Sequence, residues 1–263
     1  MQTPEQEVQG TQALSRALAV LAAVRRGCND LASIGREVGT SKSTTHRLVA
    51  FLQRSGFLRH MEGRGYLLGA KLIELGSAAL EQMPLTGLAR PHIERLAQQT
   101  GDTIHLSVRD GDNIIYVDKI SSNKGLEMRS RIGMHKPMAT TGTGKAMMLD
   151  SEESEWARLY SLAHIDVIAA EVPPPGFLAW DDYRQAMRGF KAQGYAFEME
   201  ENEAGIRCVA APIRDARGAI VAGLSVASTV PYMSKERMQT LAPAVVACAR
   251  TIAGELGYSG AMP

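Results

Sequence analysis

The chain has 263 residues, 45% of them hydrophobic and 22% charged, with a formal net charge of +1. That length holds two domains with full cores and excludes a low-complexity tail or coat. Three cysteines, Cys28, Cys208 and Cys248, are too few and too scattered for a disulfide framework, and the polar, acidic start Met1-Gln-Thr-Pro-Glu-Gln-Glu7 is no signal peptide, so a cytoplasmic protein without a membrane span is expected.

Ala13, Leu14, Ala17, Leu18, Leu21 and Val24 recur at helical spacing and predict a first helix with an apolar stripe. A second follows, with Leu31, Ile34 and Val38 on one face and Gly39 placed to end it in the left-handed conformation. After the Thr40-Ser41 step, Ser41 is a natural N-cap for a third helix, Lys42 to Arg54. Two helices joined by a short Gly-containing turn read as a helix-turn-helix, a device for double-stranded DNA.

At 100° per residue, Thr44, Leu48, Phe51 and Leu52 of that third helix share one side, and Lys42, Ser43, His46, Arg47 and Ala50 share the other. The second face suits a major groove: Ser43, His46 and Arg47 are placed to approach base edges, and Ser41, Lys42 and Thr44 the backbone. Gly56 to Leu68 then reads as strand, turn, strand, a wing with Arg59, His60 and Arg64 toward its tip. Between Thr11 and Ala70 nine Lys and Arg stand against three Asp and Glu, a net of +6 in a chain of +1, which leaves −5 elsewhere. The positive charge is concentrated where a polyanion would dock.

Leu68, Leu72, Leu75 and Ala79 continue at helical period and predict a linker helix ending before Pro84. The domain plan is therefore a DNA-binding domain over 11–70, a linker helix over 71–83 and a second domain over 84–258. That domain opens with a helix from Leu85 to Thr100. Strands Thr103–Arg109 and Asn113–Ile120 turn about Asp110-Gly-Asp112, and strands Ile206–Ile213 and Ala219–Ser228 turn about Asp215-Ala-Arg-Gly218. Helices are expected over Gly144–Leu149, Glu152–Leu162, Asp181–Gln193 and Lys235–Leu256. Hairpins at both ends with helices between and after them predict an α+β domain, an antiparallel sheet with helices laid against it.

Gly142-Thr-Gly-Lys145 invites comparison with a phosphate loop, which fails because Ala139 stands at the first glycine position and Ala146 at the Ser/Thr position. Its glycines can still leave N–H groups free for an anion at a helix start. Cys208 lies in an apolar strand, where a cysteine is a small hydrophobe. The six histidines lack metal-ligand spacing, and His105 reads as a hydrogen-bonded structural residue. Glu198, Glu200, Glu201 and Glu203 crowd one segment and equally fit a solvated charge run. No catalysis, metal or cofactor is expected.

The pieces Ser15-Arg-Ala-Leu-Ala-Val-Leu21, Ser41-Lys-Ser-Thr-Thr-His-Arg-Leu48, Tyr66-Leu-Leu-Gly69, Ile104-His-Leu106, Val117-Asp-Lys-Ile120, Gly142-Thr-Gly-Lys-Ala146 and Gly205-Ile-Arg-Cys-Val-Ala-Ala-Pro212 occur in this order. Together they resemble the IclR family of bacterial transcriptional regulators over roughly residues 13–257. The resemblance implies a winged helix-turn-helix joined to a GAF-like effector domain, working as a homodimer or dimer of dimers on operator DNA. It further implies a small carboxylate-bearing metabolite as effector. The backbone amides of Gly142 and Thr143 would hold the carboxylate, with Glu198, Cys208 and Ser225 as polar wall and Met128 and Ile132 as apolar lining. Ala227 stands where a second serine is common in the family and Glu198 where an aspartate is. The Ser130-Arg-Ile-Gly133 segment leans toward the branches that sense sugar acids. A second class stays open: a small-molecule-binding or enzymatic α+β domain whose N-terminal helices make only protein contacts.

Overall fold

The computed structural model describes residues 11–81, 84–124, 128–169 and 173–260, and its contacts divide the chain into two compact units, Met1–Gln82 and Met83–Pro263. The first unit contains α1 (Gln12–Arg25), α2 (Leu31–Val38) and α3 (Lys42–Arg54). α2 starts at a capping box: the Asp30 carboxylate accepts from the N–H groups of Ala32 (2.8 Å) and Ser33 (2.9 Å), and the Asp30 N–H donates to Ser33 Oγ. The Ser33 N–H, and the Ser33 hydroxyl donating to Asp30 Oδ2 at 2.8 Å, hold the Asp30 carboxyl below its ordinary range. α2 ends at Gly39, φ 67°, and α3 begins at Ser41, whose Oγ accepts from the Thr44 N–H.

Val20, Val24, Ile34, Val49, Leu52 and Leu58 form the core of this unit. Two stripes differ from expectation. On α1 the buried residues are Val20, Ala23 and Val24, while Leu14 and Leu18 stay more than half exposed. On α3 the inner face is Thr45, Val49 and Leu52, with Phe51 57% exposed. The reason is the α2 crossing. Gly35 has no side chain and admits Thr45, whose Oγ1 donates to the Ser41 carbonyl (2.9 Å) and hydrogen-bonds Thr40 Oγ1 (2.8 Å). A buried threonine with both needs met turns the helix by one position relative to the purely apolar stripe.

The wing is the antiparallel pair β1 (Leu58–Met61) and β2 (Gly65–Leu68), with Leu58 opposite Leu68 and Met61 opposite Gly65. Arg64 occupies the turn, whereas Arg59 lies opposite Leu67 near the base of the hairpin and His60 opposite Tyr66. α4 (Ala70–Glu81) follows, and Leu68 belongs to the strand rather than to this helix.

The second unit is built on a six-stranded antiparallel sheet in the order β5-β4-β3-β8-β7-β6. Its strands are β3 (Thr103–Asp110), β4 (Asn113–Ile120), β5 (His135–Pro137), β6 (Ala196–Met199), β7 (Ile206–Arg214) and β8 (Ile220–Thr229). Both expected hairpins form, and they meet through β3 and β8, which pair His105 with Ser225. The edge strands β5 and β6 were not expected: three or four residues are too short to show an alternation.

α5 (Pro84–Thr100) and α9 (Lys235–Glu255) pack together and against the sheet. On the opposite face lies α6 (Gly142–Met147), two residues earlier than expected, over Gly223, Cys208 and Ala210. α7 (Glu153–Ala169) and α8 (Trp180–Gln193) close a second cluster around Trp156, Leu159, Tyr183 and Met187. Among the described residues no helix is long and apolar enough to cross a membrane.

Candidate functional sites

In the first unit α3 presents Ser41, Lys42, Ser43, His46 and Arg47 as exposed residues on one side, with Thr44 half-buried. Thr44 is anchored by the cap, since its N–H and its Oγ1 both bond Ser41 Oγ. The exposed row thus projects from a helix whose start is fixed. Arg59 and Arg64 are exposed on the wing. Between α2 and the wing runs an open groove of about 790 Å³, with Arg36, Lys42 and His60 among its lining residues. Arg26 pairs with Glu37 at 2.7 Å, so these two charges cancel locally. A short, basic, hydroxyl-bearing helix face beside a cationic hairpin can neutralise phosphates and reach base edges.

In the second unit the structure brings Gly142, Glu198 and Cys208 together. Register places Glu198 opposite Cys208 and Cys208 opposite Ala227, and Gly142 packs over them. This corner is tightly filled. The Gly142 N–H is turned toward Cys208 Sγ, and the Gly144 N–H donates to Thr141 Oγ1 at 3.2 Å, so two first-turn donors of α6 are already engaged. Thr143 is buried with its carbonyl against Gly223. Burial pushes the Cys208 thiol up and the Glu198 carboxyl up to about 8, a rise that Lys145 opposes and Glu201 reinforces.

The glutamates of this segment are not a solvated run. Glu198 accepts from the Glu201 N–H at 2.8 Å, and Glu201 forms a buried ion pair with Lys145 at 2.5 Å. Glu200 pairs with Arg207 at 2.9 Å. Only a burial that composition does not reveal separates these roles.

Beside the filled corner, a cavity of about 330 Å³ opens between the sheet and the segment from Met128 to Lys136. His105 and Tyr116 form its sheet side, and their rings lie 4.7 Å apart. His105 Nε2 is 2.7 Å from Ser130 Oγ; burial, with the nearby Lys119 charge, lowers the imidazole pKa to about 3 and keeps it neutral. Lys119 Nζ donates to the carbonyls of Met128 (2.9 Å) and Ser130 (2.7 Å) and ties that segment to β4. Arg129 and Lys136 bring positive charge, Met128, Met134 and Ile206 apolar walls, and Asn202 and Glu203 the remaining polar rim.

Of the residues expected at an effector site, Met128 lines this cavity. Ser225 and Ala227 are buried in β8 next to it in register, opposite His105 and Thr103. Ile132 is 49% exposed and is not among the lining residues. Sequence reasoning passed over Tyr116, Met134, Lys136, Asn202 and Ile206. Their signal was available only for Lys136, a cation three residues after Gly133, because the others come together from separate strands and loops.

The model of the bacterial transcriptional regulator IclR C-terminal domain matches residues 77–254, and that of the IclR helix-turn-helix domain matches residues 13–62. The chain is 31% identical to the HTH-type transcriptional regulator KdgR of Escherichia coli over 229 residues, 87% of this chain and 86% of the relative. It is 30% identical to the acetate operon repressor of Salmonella typhimurium, covering 95% of this chain and 90% of that one. The crystal structure of the Thermotoga maritima IclR superposes with a TM-score of 0.74 at 27% identity, covering 93% of this chain and 98% of that chain. These relatives are transcriptional regulators, not enzymes.

Proposed function

This chain belongs to the IclR family of bacterial transcriptional regulators, and from that premise we propose how its own residues carry regulation. α3 enters the major groove of double-stranded operator DNA. Ser43, His46 and Arg47 approach base edges, Ser41, Lys42 and Thr44 the phosphates of the same strand segment, and Arg59 and Arg64 the flanking backbone. The protein acts as a repressor, and as a homodimer or dimer of dimers it sets two such helices about 34 Å apart, or a multiple, on a pseudo-palindrome.

The effector is a small carboxylate-bearing metabolite, of the sugar-acid kind, in the cavity between His105 and Lys136. One observation carries this: Arg129 and Lys136 supply the charge for a carboxylate around a neutral His105–Ser130 pair, in a cavity whose other polar groups, Tyr116 and Asn202, suit hydroxyls. Glu203 offsets one of the two cations, so the ligand is a monoanion. Gly142, Thr143, Glu198, Cys208, Ser225 and Ala227 form the packed wall behind it, through which occupancy is felt by α6. The effector shifts DNA affinity only by as much as it distinguishes the DNA-bound arrangement from the free one.

The test is fluorescence anisotropy on DNA from immediately upstream of the gene, against a panel of sugar acids and small carboxylates. One or a few members should release the DNA, and Lys136→Met should raise the concentration needed at least tenfold without changing affinity in their absence. DNA affinity unmoved by every member would remove the carboxylate reading and leave operator binding standing.

A further inference from the structure

Arg64 is the exposed cation of the wing turn, and what fixes that turn lies in another part of the same unit. Met61 and Gly65 close β1 and β2 around it, with the Arg64 N–H donating to the Met61 carbonyl at 3.1 Å. A two-stranded hairpin is marginal by itself, and a mobile tip would have to be ordered on every binding event. This hairpin is held from outside. The loop between α1 and α2 comes against the free edge of β2, where the Tyr66 N–H donates to the Asn29 carbonyl at 2.8 Å.

Gly65 makes this approach possible. Its φ is 73°, and a Cβ built on it would overlap the Asn29 carbonyl oxygen, with the Asn29 Cβ 3.3 Å away. Gly63, two residues earlier, has nearly the same φ, 74°, but open space around it. One glycine thus serves conformation alone, and the other conformation and contact. Asn29 is followed by Asp30, which caps α2, so the residue that meets the wing and the one that starts the helix pair are neighbours. Asn29, Gly65 and Tyr66 line the groove between α2 and the wing, as does Lys42 of α3. The contact therefore sets where Arg64 stands relative to the exposed face of α3.

We propose that Asn29 and Gly65 form a seat for the wing, a pair of positioning residues that hold Arg64 against a DNA phosphate flanking the α3 footprint. Asn29 acts through its carbonyl and Gly65 through the absence of a side chain, and neither touches DNA. With the tip already placed, Arg64 neutralises its phosphate without first ordering the hairpin. The inference rests on the operator-binding reading above and names what places its wing contact.

The test is a double-mutant cycle in the full-length protein, read by anisotropy on the footprinted upstream site across a salt series. Asparagine tolerates the left-handed conformation, so Gly63→Asn and Gly65→Asn differ chiefly in the contact with Asn29. Arg64→Ala and Gly65→Asn should each weaken binding about threefold or more and lower the salt slope by about one. The double variant should lose no more than Gly65→Asn alone, and Gly63→Asn should stay within about twofold of wild type. Hydrogen exchange on the wild type depends on no variant's folding: the Tyr66 N–H should be protected without DNA, because its bond runs to Asn29 rather than to β1. The proposal is overturned if the losses of Arg64→Ala and Gly65→Asn add, if either binds as the wild type does, if Gly65→Asn is no worse than Gly63→Asn, or if the Tyr66 N–H exchanges as a free amide. Each of these leaves operator binding standing, whereas a wild type that protects no site would overturn that reading and the seat with it.

Discussion

Gly142 lies so close to Cys208 that a methyl group at position 142 would stand 2.3 Å from the Cys208 sulfur. The contact seats α6 on β7 and explains why a glycine opens this helix: it is there for approach, whatever else its N–H does. Gly142→Ala should therefore destabilise the second unit by about 1–3 kcal/mol, the usual cost of overpacking a filled core. Adding Cys208→Ala to it should restore part of the loss, measured by urea unfolding. Equal stability of Gly142→Ala and wild type would mean that the corner yields more than its packing suggests.

A second close approach holds the helix pair. A methyl group on Gly35 would meet Thr45 Oγ1 at 2.9 Å, in a contact where Thr45 is already bonded to Thr40 and Ser41. Gly35→Val should unfold or reorient α2 against α3 and abolish DNA binding. Calorimetry should show the transition of the second unit unchanged, since its core shares no residue with the first.

Two buried groups give the second unit opposite pH slopes. His105 titrates at about 3 in the fold against an ordinary 6.5, so between those values the unfolded chain binds a proton that the folded one does not, and stability falls as pH drops below 6.5. Glu198 titrates at about 8 against an ordinary 4.5, so over that span the folded chain holds a proton that the unfolded one has released. Its contribution therefore falls as pH rises from 4.5 to 8, at no more than about 1.4 kcal/mol per pH unit. Urea midpoints should decline from pH 6.5 to 8 for wild type and stay nearly level over that span for Glu198→Gln, which keeps only the fall below pH 6.5 due to His105. Superimposable profiles would show that Glu198 is ionised throughout.

Ser225, buried opposite His105, offers a way to separate ligand response from folding. Ser225→Ala should blunt the effector response while operator affinity without effector stays within twofold of wild type. Loss of both activities together would point to a damaged sheet instead.

The sequence made α3 legible because its signals are local: a serine cap, a helical period and a basic face all lie within a dozen residues. It misjudged which side of α3 is buried, since Thr45 is polar and its place inside depends on Gly35 of a different helix. The two long hairpins were legible from turns and alternation, and the short edges β5 and β6 were not. The cavity was harder still. His105, Tyr116, Ser130, Lys136 and Asn202 are gathered from distant strands and loops, and their only shared property is the space between them. Glu198 and Glu201 sat within a run of acids that looks solvated until Lys145 is found inside with them.

The central claim is that the exposed face of α3 reads DNA, and footprinting on the upstream region with parallel anisotropy from low to moderate salt tests it most directly. The wild type should protect a defined, roughly two-fold symmetric site, with log affinity falling linearly with log salt. Arg47→Ala should lose about 1–3 kcal/mol at that site, and Lys42→Ala should reduce the salt slope by about one. Protection of the same site with unchanged affinity and slope in both variants would contradict the account, because the protein would then be holding DNA with some other surface.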